Sequence, residues 1–397
     1  MVNYDGLYNK NFYGDKIGQN HLSEQKLSFR ILKNATILPH KSIPNHPTGL
    51  GGIVDADGNF LEETFVHHGI TETYTPEEEI MYIDKSVIYL DMICHVWGHC
   101  LTDSLRRTWF FHSDFYKKDF KNLPIVYVPM LKGIVPSFAE ILRILEIEPD
   151  NLIAITQPTK FKEIILPDES FFEITDRQTQ EQTVFFTKEY QETIQRIKNY
   201  GEKNLSSLSQ KKFYFYYGFN DVGEKRLSRY FEEKDYQVIR PEKLTFKEQL
   251  NILTNCENFA STLGSISHNT IFMKEGMEAI YIPRYPSYNV YQLALDTLQD
   301  LNIYYIDSSI SVCYLDYRGP YCYIISDHLK KFFDDDWIGH YSDADYIAVL
   351  FYMKISADAK FWKGKNVDEY YLNALANFFT QLESRKDLME KVKESEV

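Results

Sequence analysis

Cysteine is scarce and odd in number: Cys94, Cys100, Cys256, Cys313 and Cys322 are the five in 397 residues. Scattered thiols in that number imply no disulfide framework, and reduced side chains are the simplest reading. Long apolar runs are missing as well; none approaches the ~18 residues a membrane span requires. The opening "MVNYDGLYNKNFYGDK" lacks the basic and apolar regions of a signal peptide. Together these absences predict a cytoplasmic protein. Positive charge is in deficit, with 43 Lys and Arg against 57 Asp and Glu, a net charge of −14. Non-specific nucleic-acid binding is therefore not expected as the main activity. No repeat of 20–50 residues and no low-complexity segment occurs. What is abundant is aromatic: 30 Tyr and 27 Phe, in a chain 44% hydrophobic and 25% charged. That composition belongs to a soluble globular protein with room for two to three cores and argues against disorder.

Along the chain, residues 1–83 read as an irregular, β-rich segment, with turn signals such as Asp57-Gly58 between short apolar pieces. From residue 84 the rhythm alternates. "SVIYLD" (86–91), "LPIVYVP" (123–129), "NLIAIT" (151–156) and "FKEIILP" (161–167) predict strands, and 98–112 and 136–147 predict helices. Residues 84–185 thus read as a first Rossmann-like unit and 186–211 as a linker, with a connecting helix within 168–210. A second alternating unit spans 212–325. Its predicted strands are "KFYFYY" (212–217), "YQVIRP" (236–241), "ENFAST" (257–262), "EAIYIPR" (278–284) and "NIYYIDS" (302–308). Helices are predicted over 223–233, over 245–255 with Thr245 as cap, over 264–276 and over 288–299. The rest, 326–397, reads as a helical extension. Alternating strands and helices predict parallel sheets covered on both faces, with ligands at the carboxyl ends of the strands.

Two stretches carry chemistry. "HVWGHCLTDSLRRTW" (95–109), read as a helix, puts His99, Asp103 and Arg106/Arg107 on one face by spacings of three and four. An aspartate there can take a proton from a hydroxyl, and an arginine can hold a phosphate or sugar oxygen. The same spacing fits a solvated face with an i,i+4 ion pair. Cys94, His95, His99 and Cys100 are four potential metal ligands, but adjacent ligands rarely converge and the spaced pairs of structural zinc sites are absent. The acidic run "DDDW" (334–337) fits a helix terminus better than a divalent-cation site.

The second stretch is "NFASTLGSISHNTIFMKEGMEAIYIPR" (258–284). A strand ends at Thr262, Gly264 turns the chain, and a helix is expected to follow. Free N–H groups at Gly264–Ile266 would suit a diphosphate, with Ser265 and Ser267 as hydroxyl donors and His268 and Asn269 in the first turns. A plain tight turn fits the same residues. Neither a GxGxxG nor a GxxxxGK[ST] pattern is present, which counts against a dinucleotide fold and an NTPase.

Taken in order, the two stretches resemble glycosyltransferase family 61. "GHCLTDSLRR" resembles that family's H-W-x-x-D-x-L-P-R element. "RPEKLTFKEQLNILTNCENFASTLGSISHNTIFMKEG" resembles its second signature, in which a strand and a glycine turn precede N-x-x-F-M-x-x-G. His99, Asp103 and Arg107 fall on the family's histidine, aspartate and arginine. Gly264, Ser265, Asn269 and Gln249 fall on the second signature. The chain departs from the family at Cys100 (tryptophan), Arg106 (proline), Leu263 (histidine), Tyr281 (glutamate) and around Tyr217, after which an arginine is expected. The last three departures lie on the donor side, where Lys225, Arg226 or Arg284 would compensate.

The resemblance implies an α/β GT-B-like fold, two Rossmann-like domains facing a cleft. It implies an inverting, metal-independent transfer from a nucleotide-diphosphate sugar, a UDP-sugar being the expected donor, with no resident cofactor. Asp103 would be the general base, oriented by His99. Arg106, Arg107, Gly264, Ser265, Ile266, Asn269, Gln249 and Arg284 would hold substrates, with Arg107 alternatively paired to Asp103. The expected acceptor is a surface glycan, of capsule or lipopolysaccharide type; a lipid-linked one would bring the protein to the inner membrane face. The alternative is a non-catalytic nucleotide- or glycan-binding scaffold of the same fold, and a metal-dependent hydrolase is a third class.

Overall fold

The computed structural model describes residues 2–3, 19–43, 49–65, 72–176, 178–179, 181–206, 208–216, 221–284, 289–309, 321–336, and 342, 343, 345, 346, 348–350 and 352. The helical reading of 366–394 and the position of Tyr217 lie outside these residues.

Strand β1 (Val2–Asn3) comes first, followed by β2 (Leu22–Ser23), β3 (Phe29–Lys33), β4 (Thr36–Lys41), β5 (Leu50–Val54) and β6 (Phe60–Leu61). The long β7 (Met81–Cys94) leads into a short helix, α1 (Trp97–Leu101), and then β8 (Ile125–Met130), α2 (Pro136–Ile144), β9 (Ile153–Ala154) and β10 (Thr159–Pro167). A hairpin of β11 (Phe171–Thr175) and β12 (Gln182–Thr187) precedes α3 (Lys188–Asn204). The back half runs β13 (Lys212–Phe215), α4 (Glu224–Glu233), β14 (Gln237–Ile239), α5 (Phe246–Asn255), β15 (Asn258–Thr262), β16 (Glu278–Ile282), α6 (Val290–Asp296), β17 (Asn302–Tyr305) and α7 (Asp327–Phe332).

The back half is the doubly wound unit its sequence predicts. Its sheet has the order β1-β17-β16-β15-β13-β14, and every pairing is parallel. The order reverses at β13, so β15 and its following loop flank the switch point where such sheets open a crevice. Helix α5 begins with a full capping box, Thr245 with Glu248, as the T-x-x-E spacing requires.

The front half departs from expectation. Strands β7–β10 are mutually parallel, but β3–β6 join them antiparallel in one sheet of order β6-β5-β4-β10-β7-β8-β9, with β3 on β10. The β-rich start of the chain is therefore an extension of the front sheet. Alternation explains this. On β7, Val87 and Tyr89 face one buried cluster with Ile37, Ile53 and Phe65, while Ile88 and Leu90 face the other. Residues 168–187, expected to close the first unit and lead into a connecting helix, form the β11–β12 hairpin, which pairs with β2 in a third sheet. One apolar cluster runs from Ile88, Leu101 and Phe110 through Phe138, Tyr190 and Ile197 to Phe213, Phe246 and Phe259, so the two main sheets share a core. Among the described residues no helix is long and apolar enough to cross a membrane.

Candidate active site

The site begins with an interruption. The spacing of 95–109 predicts one continuous helix, yet α1 ends at Leu101 and a 3-10 turn takes over only at Thr108–His112. Between them the backbone unwinds; the Thr102 hydroxyl oxygen lies 3.1 Å from Gly98 O and Ser104 N–H donates to His99 O at 2.9 Å. The turn is tight enough to keep His99 over Asp103, with His99 Nδ1 2.9 Å from Asp103 Oδ2. The Thr102 hydroxyl donates to the same oxygen at 2.8 Å. His99 is the more open partner, its side chain 25% exposed against 5% for Asp103. His99 lines a cavity of about 230 Å³, and the aspartate stands behind it.

Arg106 and Arg107, expected at the substrate, lie elsewhere. Past the end of α1 the chain turns inward and buries both guanidiniums at 1% exposure. Arg106 grips Asp91 through Nε (2.7 Å) and Nη2 (2.9 Å) and meets Glu169 at 2.5 Å. Arg107 reaches Asp91 at 3.0 Å and Glu169 at 3.7 Å, and donates to the carbonyls of Glu63 and Pro167. A register shift between Tyr89 and Met92 accommodates Asp91 in the interior of β7. Burial pushes the Glu169 carboxyl up to about 7, against the pull of both arginines. These arginines tie β7, the 61–65 turn and the β10–β11 link together. They are structural, and the expected Arg107–Asp103 pairing gives way to Asp91 and Glu169.

Facing α1 across the cavity is the turn after β15. Gly264 has φ +145°, and the Arg284 guanidinium lies over it: a Cβ there would stand 3.2 Å from its Cζ. Arg284 also donates to Thr262 Oγ1 at 3.3 Å and sits 5.4 Å from the Tyr321 ring centroid. No oxygen among the described residues accepts from the N–H of Ser265 or Ile266. The expected helix over 264–276 is only a 3-10 stretch, Ser267–Phe272, so the turn presents its free amides with no long helix dipole behind them.

The turn is pinned from both sides. From the front, Trp97 Nε1 donates to Asn269 Oδ1 at 2.9 Å, and Asn269 Nδ2 donates to Ile266 O at 3.0 Å. Gly98 presses on it directly: a Cβ on that residue would meet Ser265 Oγ at 2.8 Å. From behind, Gln292 Oε1 accepts from Ser267 Oγ at 2.6 Å and lies 2.8 Å from His268 Nδ1. Burial lowers His268 to about 4, with His99 adding to the shift, so the ring is neutral. Tyr281, standing where the family glutamate was expected, is fully buried; its hydroxyl meets Thr270, Gln292 and Asp296 below the turn.

A second cavity, about 480 Å³, adjoins the first at Ser265. Trp97 at the start of α1, Ser137 at the start of α2, Arg240 and Pro241 after β14, and Gln249 on α5 are among its walls. Gln249 is largely spent on structure, donating to Pro241 O at 2.9 Å and Leu244 O at 3.4 Å. Among the described residues no group of three or more His, Cys, Asp or Glu is placed to hold a metal ion.

Residues 97–280 match the family model "Glycosyltransferase 61". This stretch carries the family 61 glycosyltransferase pattern. No curated protein sequence matches it. Among solved structures it is similar to the bacterial iron-containing dodecameric glycosyltransferase TibC from enterotoxigenic E. coli H10407. The identity is 10%, covering 95% of this chain and 98% of that chain, with a TM-score of 0.25.

Of the residues expected at the site, the structure brings His99, Gly264, Ser265 and Arg284 to one cavity, with Asp103 behind His99. Ile266, Asn269 and Gln249 border the second. Leu263 lines the first cavity where the family histidine was expected. Of the three compensating cations, Arg284 alone lies on the turn; Lys225 is exposed, and Arg226 pairs with Asp345. Sequence reasoning missed Gly98, Tyr291 and the clamp of Trp97 on Asn269. A lone glycine inside a helical pattern is a signal of close packing that could have found Gly98; nothing local marks Tyr291, which lines the cavity while its hydroxyl holds Glu173 at 2.7 Å.

Proposed function

We propose that the protein moves a sugar, with inversion, from a nucleotide-diphosphate donor to a hydroxyl of a glycan acceptor, in a GT-B-like crevice between the carboxyl edges of its two main sheets. The observation that carries this is one cavity with His99, backed by Asp103, on one wall and a turn with free amides and Arg284 on the other. The diphosphate lies against the Ser265 and Ile266 amides and Arg284. The nucleoside, uridine in the expected donor, lies in the cavity beyond Ser265. Volumes of about 230 and 480 Å³ together fall in the range small-molecule sites occupy (~300–1,000 Å³).

In the step itself, the acceptor oxygen attacks the anomeric carbon from the face opposite the diphosphate. Its proton passes to His99 Nε2 while Asp103, holding Nδ1–H, stabilises the imidazolium that forms. The bond from the anomeric carbon to the diphosphate oxygen breaks, and its electron pair leaves with the diphosphate, where the amides and Arg284 meet the growing charge. Burial behind His99 is why Asp103 is assigned to act through the imidazole rather than on the acceptor directly. In the proposed reaction the leaving group is met by the Ser265 and Ile266 amides and Arg284, with no metal assigned a role. The acceptor is a surface glycan, lipid-linked acceptors drawing the protein to the cytoplasmic face of a membrane.

The test is titration calorimetry with UDP, UDP-glucose, UDP-galactose and UDP-N-acetylglucosamine, followed by a transfer or hydrolysis assay on each ligand that binds. Binding with turnover is expected. Binding without any turnover would favour the scaffold reading, and failure of all four to bind would refute a uridine donor.

A further inference from the structure

His268 is absent from the mechanism above, yet it lines the same cavity at 5% exposure, next to Ser265. Its ring is held by one edge. Nδ1 lies 2.8 Å from Gln292 Oε1, and the Cδ2 edge packs toward Gly98. The direction of the Nδ1 contact follows from what lies behind Gln292. Its Nε2 donates to Asp296 Oδ1 at 2.8 Å and to the Tyr281 hydroxyl at 3.2 Å. Asp296 in turn accepts from the Tyr305 hydroxyl at 2.6 Å and the Tyr281 hydroxyl at 3.2 Å. Burial raises Asp296 to about 7, so at pH 8 it is ionised and can only accept, which fixes the amide with NH₂ toward Asp296 and oxygen toward the cavity. That oxygen can only accept, so Nδ1 of the neutral imidazole carries the proton. Nε2, which has no partner among the described residues, is then an acceptor at the cavity wall.

We propose that His268 is a specificity-determining residue: its Nε2, held as a hydrogen-bond acceptor by the Gln292–Asp296 relay, takes the proton of a hydroxyl on the transferred sugar. The inference rests on the donor reading given above, because the turn that carries His268 is the one assigned to the diphosphate. It goes beyond that reading in naming what the wall asks of the sugar. A hydroxyl at this position is favoured. A carboxylate, which offers only lone pairs, is rejected, since two acceptors cannot satisfy each other and burying them unpaired is costly. Selectivity thus comes from a tautomer set by Asp296, two hydrogen bonds away.

The test has two arms. The first needs no ligand: long-range proton–nitrogen NMR of the ¹⁵N-histidine-labelled protein at pH 8, with His268 assigned by loss of its signals in His268→Gln. The expected result is a protonated Nδ1 and an unprotonated Nε2, reversed or averaged in Gln292→Leu. A protonated Nε2 in the wild type overturns the proposal. The second arm compares UDP with UDP-glucose, UDP-galactose and UDP-N-acetylglucosamine by calorimetry. In His268→Phe the sugar nucleotide that binds best should weaken about tenfold, the worth of one good hydrogen bond, while UDP stays within about twofold; His268→Gln, which keeps a polar atom near Nε2, should fall between. Equal losses for UDP and the sugar nucleotide overturn the sugar contact and leave the donor reading standing. If no probe binds the wild type, the donor reading fails and the sugar contact with it, whatever the tautomer proves to be.

Discussion

Adding one methyl group at Gly98 should impair transfer far more than it impairs folding. A Cβ at this position would stand 2.8 Å from Ser265 Oγ and 3.3 Å from both Ser265 Cβ and His268 Cδ2. The hydroxyl can rotate away, but Ser265 Cβ and the imidazole must each retreat by a few tenths of an ångström. Overpacking of this kind costs about 1–3 kcal/mol. Replacing glycine by alanine in a helix returns up to about 1 kcal/mol, so the net loss of stability should lie near 0–2 kcal/mol. The catalytic effect is larger because the displaced residue carries the amide assigned to the diphosphate. Misplacement by about 1 Å at a reacting centre can cost ~10²-fold, so Gly98→Ala should lower kcat/KM by roughly 10–100-fold with a melting temperature close to wild type. The assay is steady-state transfer or donor hydrolysis with whichever sugar nucleotide the wild type accepts, beside urea unfolding. Wild-type kcat/KM in Gly98→Ala would mean that α1 and the 264–268 turn do not jointly bound the reacting centre.

Three further outcomes follow from the same contacts. Asp103→Asn should reduce turnover by about 10²–10⁴-fold with donor affinity nearly intact, since the amide can no longer hold His99 with its proton on Nδ1; retention of more than ~1% of turnover refutes the pair. Arg107→Met should destabilise the fold by about 3–5 kcal/mol, leaving Asp91 and Glu169 under-compensated in the interior, while surviving folded protein keeps its donor affinity; a specific loss of donor binding at unchanged stability would return this arginine to the substrate. Burial raises the Asp296 carboxyl from 3.8 to about 7, so the folded state binds more protons than the unfolded chain between those values, and this group's contribution to stability declines as pH rises through them. Asp296→Asn lacks that decline, so its stability relative to wild type should improve by about 2–3 kcal/mol between pH 5 and 7, measured by urea unfolding; a difference independent of pH would contradict the burial argument.

The back half of this fold was legible because each of its signals is local. Alternating β-rich and amphipathic stretches mark every strand from β13 to β17, and Thr245 marks the start of α5. The front sheet was harder because its extra strands are short, and antiparallel partners such as β3 and β10 are set by long-range pairing rather than by period. The helix over 98–112 failed for a related reason. Spacing of three and four is necessary for a shared face, but two carboxylates more than ten residues away in sequence, the buried Asp91 and the largely covered Glu169, draw Arg106 and Arg107 out of it. His99 and Asp103 survived because a single turn suffices to join them. Arg284 was only a loosely placed cation in the sequence; the parallel register of β15 and β16, which pairs Thr262 with Ile282, brings it over Gly264.

The claim on which the rest depends is that the proton acceptor and the leaving-group cradle stand on opposite walls of one cavity. An in-line displacement across that cavity inverts the anomeric centre. Proton NMR of the sugar first released or transferred from an α-linked UDP-sugar, recorded before mutarotation, reads this directly. The account predicts the β-anomer; the α-anomer as first product would contradict it.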